Sequence, residues 1–257
     1  MKGAWAIAAI LGLAAAAWLG MTEAPHWQGD GTRAILGPPL NAMNAEQLDP
    51  ASFARIRIEG DSNVLADHLP RLADGSRPPA FGAVLERAGK GRLAVVVRGT
   101  GGDTAAMGAR RWAAASAPAD LVILVYGTND ADPRGLLSRR RATPLPEYTA
   151  VMRGLIRRHR ARGATVLVLG PLAGGSWAIA RRLDPYRRAA RSATVAEGAV
   201  FLDSRTAFAE YSAAGPLLTR DALHLNARGH ACLGRWLAER LSPSSRARAV
   251  QPACAAS

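Results

Sequence analysis

The stretch "RIRIEGDSNVLADHL", residues 55–69, decides how this chain is read. Ile56 and Ile58 alternate with Arg55, Arg57 and Glu59, the period-two pattern of a β-strand, and the run stops at Gly60-Asp61-Ser62. A helix-like pattern follows, so Ser62 stands where a strand hands over to a helix. Serine in that place is ordinarily a helix cap. The same place, beyond the carboxyl end of a strand, is also where an open α/β sheet holds its ligands. The stretch alone leaves both readings open. A nucleophilic Ser62 requires the rest of the chain to supply a base, an acid that orients it and donors for an oxyanion.

Working outward, four more short apolar runs read as strands: "RLAVVVRG" (92–99), "ADLVILVYG" (119–127), "ATVLVLGP" (164–171) and "AVFLD" (199–203). Continuous Val, Leu and Ile runs of this length mark strands buried on both faces, as in parallel sheets. Between them lie helical patterns at 104–116, 147–163, 184–198 and 228–241. The second puts Tyr148, Val151, Met152, Leu155 and Ile156 on one stripe and ends in basic residues before Gly163. Residues 45–54 suggest a further short helix. The alternation predicts an α/β fold of three layers, a doubly wound, flavodoxin-like, five-stranded parallel sheet with right-handed crossovers. The loops after the strands then carry the chemistry: Gly60–Ser62, Gly99–Thr104, Gly127–Asp130 and "GPLAGGSWAIARRL" (170–183).

The chain has 257 residues, enough for one well-buried domain, and a formal net charge of +13 that is almost entirely arginine. Those arginines are scattered over several segments without interleaved aromatics, so no nucleic-acid partner is expected. Lys2 followed by "GAWAIAAILGLAAAAWLGMT" has the pattern of a secretory signal. The uncharged run also approaches the length of a single membrane anchor. The expected organisation is a signal peptide or anchor at 1–24, a linker or N-terminal extension at 25–53, the main α/β domain at 54–241 and a flexible tail at 242–257. The domain is accordingly expected in the periplasm or secreted, with anchoring in the inner membrane as the alternative. Cys232 and Cys254 could pair in such a compartment, or remain a core residue and a tail residue. Oligomeric state is not readable from the sequence.

Common signatures fail. "GTGGDT" lacks the third glycine of a dinucleotide fingerprint, since Thr104 occupies that position. The GxSxG elbow is absent, because "GGSWA" ends in Ala178. Among five histidines, His26 lies beside the leader, and His68, two turns into a helix, is exposed or a packing residue. His159 lies among arginines on an amphipathic helix and reads as surface. His230 is core or cap. His224 differs: Asp221 stands three residues before it, a spacing from which a carboxylate can hold its Nδ1 and leave Nε2 free as a base.

Taken in order, Gly60-Asp61-Ser62, Gly102 in "GGDT", Gly127-Thr128-Asn129-Asp130 and Asp221-Ala222-Leu223-His224 resemble the four blocks of the SGNH, or GDSL-type, hydrolase superfamily. The resemblance runs over about residues 54–241. Asn63 departs from the Leu often found there. The resemblance implies an SGNH hydrolase fold and a serine esterase whose catalytic residues are Ser62, His224 and Asp221. It implies an oxyanion hole of the Ser62 and Gly102 backbone N–H groups and the Asn129 amide, with Gly101 competing for the glycine role. Asp61, Asp103 and Asp130 are expected to serve loop hydrogen bonds. No cofactor or metal is called for. The expected substrate is an acyl ester, either an acylated glycan, O-acetyl esters included, or a lipid or thioester of lysophospholipase type. A silent envelope domain that only binds glycan is the alternative from another class. Trp177 is the candidate substrate-binding residue.

Overall fold

The computed structural model describes residues 32–114, 118–132, 141–211 and 215–241. Five parallel strands, β1 (Arg55–Gly60), β2 (Ala94–Gly99), β3 (Leu121–Val125), β4 (Thr165–Val168) and β5 (Val200–Phe201), line up in the order β2-β1-β3-β4-β5. The helices are α1 (Phe81–Ala88), α2 (Ala105–Arg111), α3 (Leu145–Arg160), α4 (Trp177–Ala196), α5 (Ser204–Tyr211) and α6 (Ala227–Arg240). The expected three-layer sheet is the fold observed. The leader at 1–24, the tail from 242 and Cys254 lie outside the described residues; Cys232 is buried on α6.

Strand periodicity builds both cores. Ile56, Ile58, Leu121, Ile123, Val125 and Leu167 point to one face and meet Phe81 and Leu85 of α1, Phe208 of α5, and Leu233, Trp236 and Leu237 of α6. Val122, Leu124, Val166 and Val168 point to the other and meet Tyr148, Met152, Leu155 and Ile156 of α3, and Leu183 and Ala190 of α4. On that second face β1 contributes Arg57 and Glu59, both buried. His159 answers them: it is buried, with its Nε2 3.3 Å from Glu59 Oε2. The surface reading of His159 is therefore corrected. It continues the α3 stripe one turn beyond Leu155 and Ile156, onto the polar end of β1.

Three local readings also change. The helix expected after Ser62 is a single 3-10 turn, Ser62–Val64, followed by irregular chain. Leu65 is already extended, and Pro70 bars a helix beyond it, since proline disfavours helical backbone at Leu69 and removes a donor. Helix α4 starts at Trp177, seven residues before the expected Asp184. Ser176 is the cap, accepting from the Ile179 N–H at 3.3 Å, and Pro185 sits inside the helix. Residues 32–43, within the expected linker, form a strap. Thr32 pairs with Leu218, the Ile35 N–H donates to the Gly174 carbonyl, and Met43 pairs with Phe201 at the β5 edge.

Candidate active site

The central strands β1 and β3 deliver two of the loops. β1 ends at Gly60, where Val64 from the following turn packs down so closely that a Cβ would lie 2.4 Å from its Cγ1. That packing presents Ser62 at the rim. Asp61 is wholly buried behind it and accepts the Asn63 N–H at 2.9 Å. Burial pushes the Asp61 carboxyl up to about 6, against the pull of the Asn63 N–H and of the His224 charge. After β2, the Asp103 N–H donates to the Thr100 carbonyl at 3.1 Å and Gly102 has φ +81°. This is the backbone of a tight turn that needs glycine at its third position. Gly101 of the same turn backs onto Ser62: a Cβ there would be 4.0 Å from the serine Cβ.

After β3, Asn129 and Asp130 tie the third loop to the second. The Asn129 amide donates to the Asp103 carbonyl at 3.0 Å, and the Asp130 carboxylate accepts the Ala105 N–H at 2.9 Å at the start of α2. Asp130 is buried and its carboxyl is likewise pushed up to about 6 by burial. Asp103 is held in turn by a two-bond contact from Arg111, at 2.8 and 2.9 Å. The expected loop roles of Asp61, Asp103 and Asp130 match these bonds. The Asn129 amide has a second N–H beyond the one given to Asp103.

The loop that carries Asp221 and His224 does not follow a strand. Residues 217–226 fold back on themselves through a Leu218–Leu225 bridge and a Thr219 N–H bond to the His224 carbonyl at 2.8 Å. Inside this loop one Asp221 oxygen accepts the Thr219 hydroxyl at 2.6 Å, the Leu223 N–H at 2.9 Å and the His224 N–H at 3.0 Å. The other lies 2.5 Å from His224 Nδ1. Burial alone would raise the Asp221 carboxyl. The bond to and charge of His224, with the Thr219 hydroxyl and the His224 N–H, outweigh it and hold Asp221 well below the ordinary carboxylate range. Ala222, at the tip, is forced to φ +61°, and its carbonyl accepts the Gly175 N–H at 2.7 Å.

His224 Nε2 is 2.8 Å from Ser62 Oγ. Hydroxyl, imidazole and carboxylate thus stand in hydrogen-bonded succession across 162 residues of chain. With Nδ1–H given to the carboxylate, Nε2 presents its lone pair to the hydroxyl, the arrangement in which an imidazole can take a serine proton.

Two further histidines stand beside His224. His68 was expected in a helix, but it lies in the irregular chain with its ring centroid 4.8 Å from that of His224. The His230 ring is 5.8 Å beyond His68, and Phe81 of α1 stacks on His230 at 6.3 Å. The sequence carried no signal for His68, because the segment after Ser62 has helical spacing and no motif. Trp177 is 73% exposed on the first turn of α4. It lines a cavity of about 210 Å³ with Pro38, Leu40, Gly174, Arg181 and Arg188. This cavity adjoins the 217–226 loop through the neighbouring Gly175 and contains none of the Ser62, His224 and Asp221 group.

Residues 60–232 match the family model of the GDSL-like Lipase/Acylhydrolase family. Among solved structures, LAE5, an alpha/beta hydrolase enzyme from the metagenome of Lake Arreo, Spain, is similar at 22% identity with a TM-score of 0.62, covering 73% of this chain and 94% of that one. Axe2, an acetylxylan esterase from Geobacillus stearothermophilus, is similar at 20% identity with a TM-score of 0.60, covering 74% and 94%. At these identities the likeness is one of fold. No curated protein sequence matches significantly.

Proposed function

We propose, from the premise that the chain belongs to the GDSL-like lipase/acylhydrolase family of ester-hydrolysing enzymes, that Ser62 is its nucleophile, His224 its general base and Asp221 the carboxylate that orients the base. The observation that carries this reading is the unbroken bond series from Ser62 Oγ through His224 to Asp221, at 2.8 and 2.5 Å. His224 Nε2 takes the hydroxyl proton as Ser62 Oγ bonds to the ester carbonyl carbon. The carbonyl electrons move onto oxygen, where the backbone N–H groups of Ser62 and Gly102 and the Asn129 amide receive the charge. The tetrahedral species collapses as His224 gives its proton to the leaving alkoxide, and acyl-Ser62 remains. Water then repeats the sequence, with His224 as base, and releases the acid. Each oxyanion donor is worth about 10²–10³ in rate.

The substrate reading is an O-acyl, and in particular O-acetyl, ester on a glycan met outside the cytoplasm. The apolar leader supports the compartment. Exposed Trp177 lines an arginine-rich cavity that adjoins the His224-bearing loop through Gly175, which supports a sugar ring bound on that side of the acyl site. Lipid acyl esters are the competing substrates.

The test is covalent labelling of purified enzyme with a fluorophosphonate, beside hydrolysis of p-nitrophenyl acetate. Parent enzyme labels at Ser62, while Ser62→Ala and His224→Ala keep their melting curves and lose at least about 10³-fold in kcat. A folded parent that never labels favours the silent glycan-binding domain. Trp177→Ala should raise KM on acetylated oligosaccharides and leave p-nitrophenyl acetate unchanged. An equal effect on both, or faster turnover of lysophospholipid than of either, removes the glycan reading.

A further inference from the structure

His224 is held from two sides. Asp221 fixes its Nδ1, and the His68 ring packs against its ring, tilted by 37°, at a centroid separation of 4.8 Å. His68 is itself anchored. Its Nε2 lies 2.8 Å from the carbonyl oxygen of Leu225, the residue after His224. A carbonyl only accepts, so His68 donates there and its ring is tied to the backbone that carries the base. Behind His68 stands His230, wholly buried, whose Nδ1 accepts the Phe81 N–H at 3.3 Å. Phe81 closes the row with its plane 15° from that of His230. Four rings therefore run from the start of α1 to the face of His224.

We propose that His68 is a positioning residue for His224: the Phe81–His230–His68 row forms a fixed wall that keeps the His224 ring turned toward Ser62 through both proton transfers. This rests on the reading of His224 as the base. A carboxylate bond at Nδ1 alone leaves the ring free to swing about that bond, and a ring packed against it restrains the swing. Loss of alignment at a proton-transferring group lowers the rate of the step without weakening binding.

The wall must also remain neutral, since an imidazolium forms at His224 in each half-reaction. Groups facing His68 come from three elements: Asp67 on its own segment, Asp221 and His224 on the 217–226 loop, and His230 on α6. Burial, then the His224 charge, lowers the His68 imidazole, against the Leu225 carbonyl, Asp221 and Asp67. Burial, with the His68 and His224 charges behind it, holds His230 down at about 3. A neutral ring face beside a forming cation is favourable, whereas a second cation there is not.

The experiment compares His68→Ala, His68→Phe and His68→Lys by pH–rate profile on p-nitrophenyl acetate, with melting curves for each. His68→Ala should lower kcat about 10- to 100-fold with KM within about threefold. His68→Phe, which restores a flat face but not the Leu225 bond, should recover most of that loss. His68→Lys, which places a fixed cation next to the base, should move the acid limb of kcat/KM down by about one pH unit. Parental kcat in His68→Ala overturns the proposal. So does a loss shared equally by Ala and Phe with an unmoved acid limb in Lys, which is the behaviour of a merely structural residue. If His68→Ala does not fold, the Phe and Lys variants decide alone. Ser62→Ala and His224→Ala run in the same assay separate the two failures. If both are dead and the His68 variants are normal, only this proposal falls. If either stays active, it is the reading of the base or nucleophile that falls.

Discussion

The two halves of the site are held by different physics. The Ser62 side is placed by packing: β1 lies between β2 and β3, residues 56–61 are all buried, and Val64 wedges against Gly60 and Gly99. The His224 side is placed by polar bonds. Its loop has no strand beneath it, and Asp221 alone accepts three donors besides the His224 ring. The difference teaches where each position draws its accuracy. The hydroxyl is located by the sheet, and substitutions beneath it should act on stability. The imidazole is oriented by a carboxylate, and substitutions there should act on rate.

The strongest way to break this contrast is Asp221→Asn. The remaining amide oxygen can still accept from Thr219 and the loop N–H groups, so the fold should persist. The amide nitrogen, however, can only donate toward His224 Nδ1, which drives the ring proton to Nε2 and removes the lone pair from Ser62. A fall in kcat of about 10³–10⁴ is expected with little change in melting temperature. A fall of less than tenfold would mean that the carboxylate does not set the imidazole.

Gly60→Ala probes the other half. Its Cβ would lie 2.4 Å from Val64 Cγ1 and 2.7 Å from the Val125 carbonyl oxygen, and the backbone oxygen cannot yield cheaply. Overpacking of this kind costs about 2–3 kcal/mol, which is a fall of roughly 5–10 °C in melting temperature for a domain of this size. The fraction that remains folded should keep kcat within a few-fold. Urea denaturation beside active-site titration measures both. A stable but slow variant would show that the sheet side also sets reactivity.

The same contrast explains what the sequence made legible. Strands announce themselves because burial on two faces demands apolar runs, and the loops that follow them are then positioned by topology. The positions of Ser62 and Asn129 beyond strand ends were readable on that ground, while the role expected of Asn129 came from the resemblance. The Asp221-Ala222-Leu223-His224 loop has no such frame, and only its three-residue spacing pointed to it. His159 was missed although it continues the α3 stripe, because its neighbours in sequence are all basic and its partner Glu59 is a charge hidden in a strand. The strap at 32–43 has no periodicity of its own, since it takes its shape from the edges it pairs with: Leu218, Gly174 and Phe201. His68 depended on a chain path set by Pro70 and on a ring stack with residues over 150 positions away, which no local pattern encodes.

The smallest effect expected is the share of the pH slope in stability that the packed half contributes. Asp61 and Asp130 have carboxyls raised to about 6 by burial, above the ordinary value of 3.8. Between those values these two carboxyls bind more protons in the folded chain than in the unfolded one, so their contribution to stability should fall as pH rises from about 4 to about 6.5, while the lowered His68 and His230 imidazoles contribute with the opposite sign. Asp221 has the opposite sign. Its carboxyl is depressed, so the stability it contributes is present above the ordinary carboxylate range and lost as pH falls through it. Asp61→Asn keeps an oxygen for the Asn63 N–H, and Asp130→Asn keeps one for the Ala105 N–H. The stability of each variant relative to the parent should therefore rise by about 1–2 kcal/mol between pH 5 and pH 8. Asp61 and Asp130 repel each other, so the double variant should gain less than the sum. Urea midpoints at the two pH values measure the difference. Variants that lag the parent equally at both would show that these carboxylates act through their hydrogen bonds and that the packed half carries no buried charge to relieve.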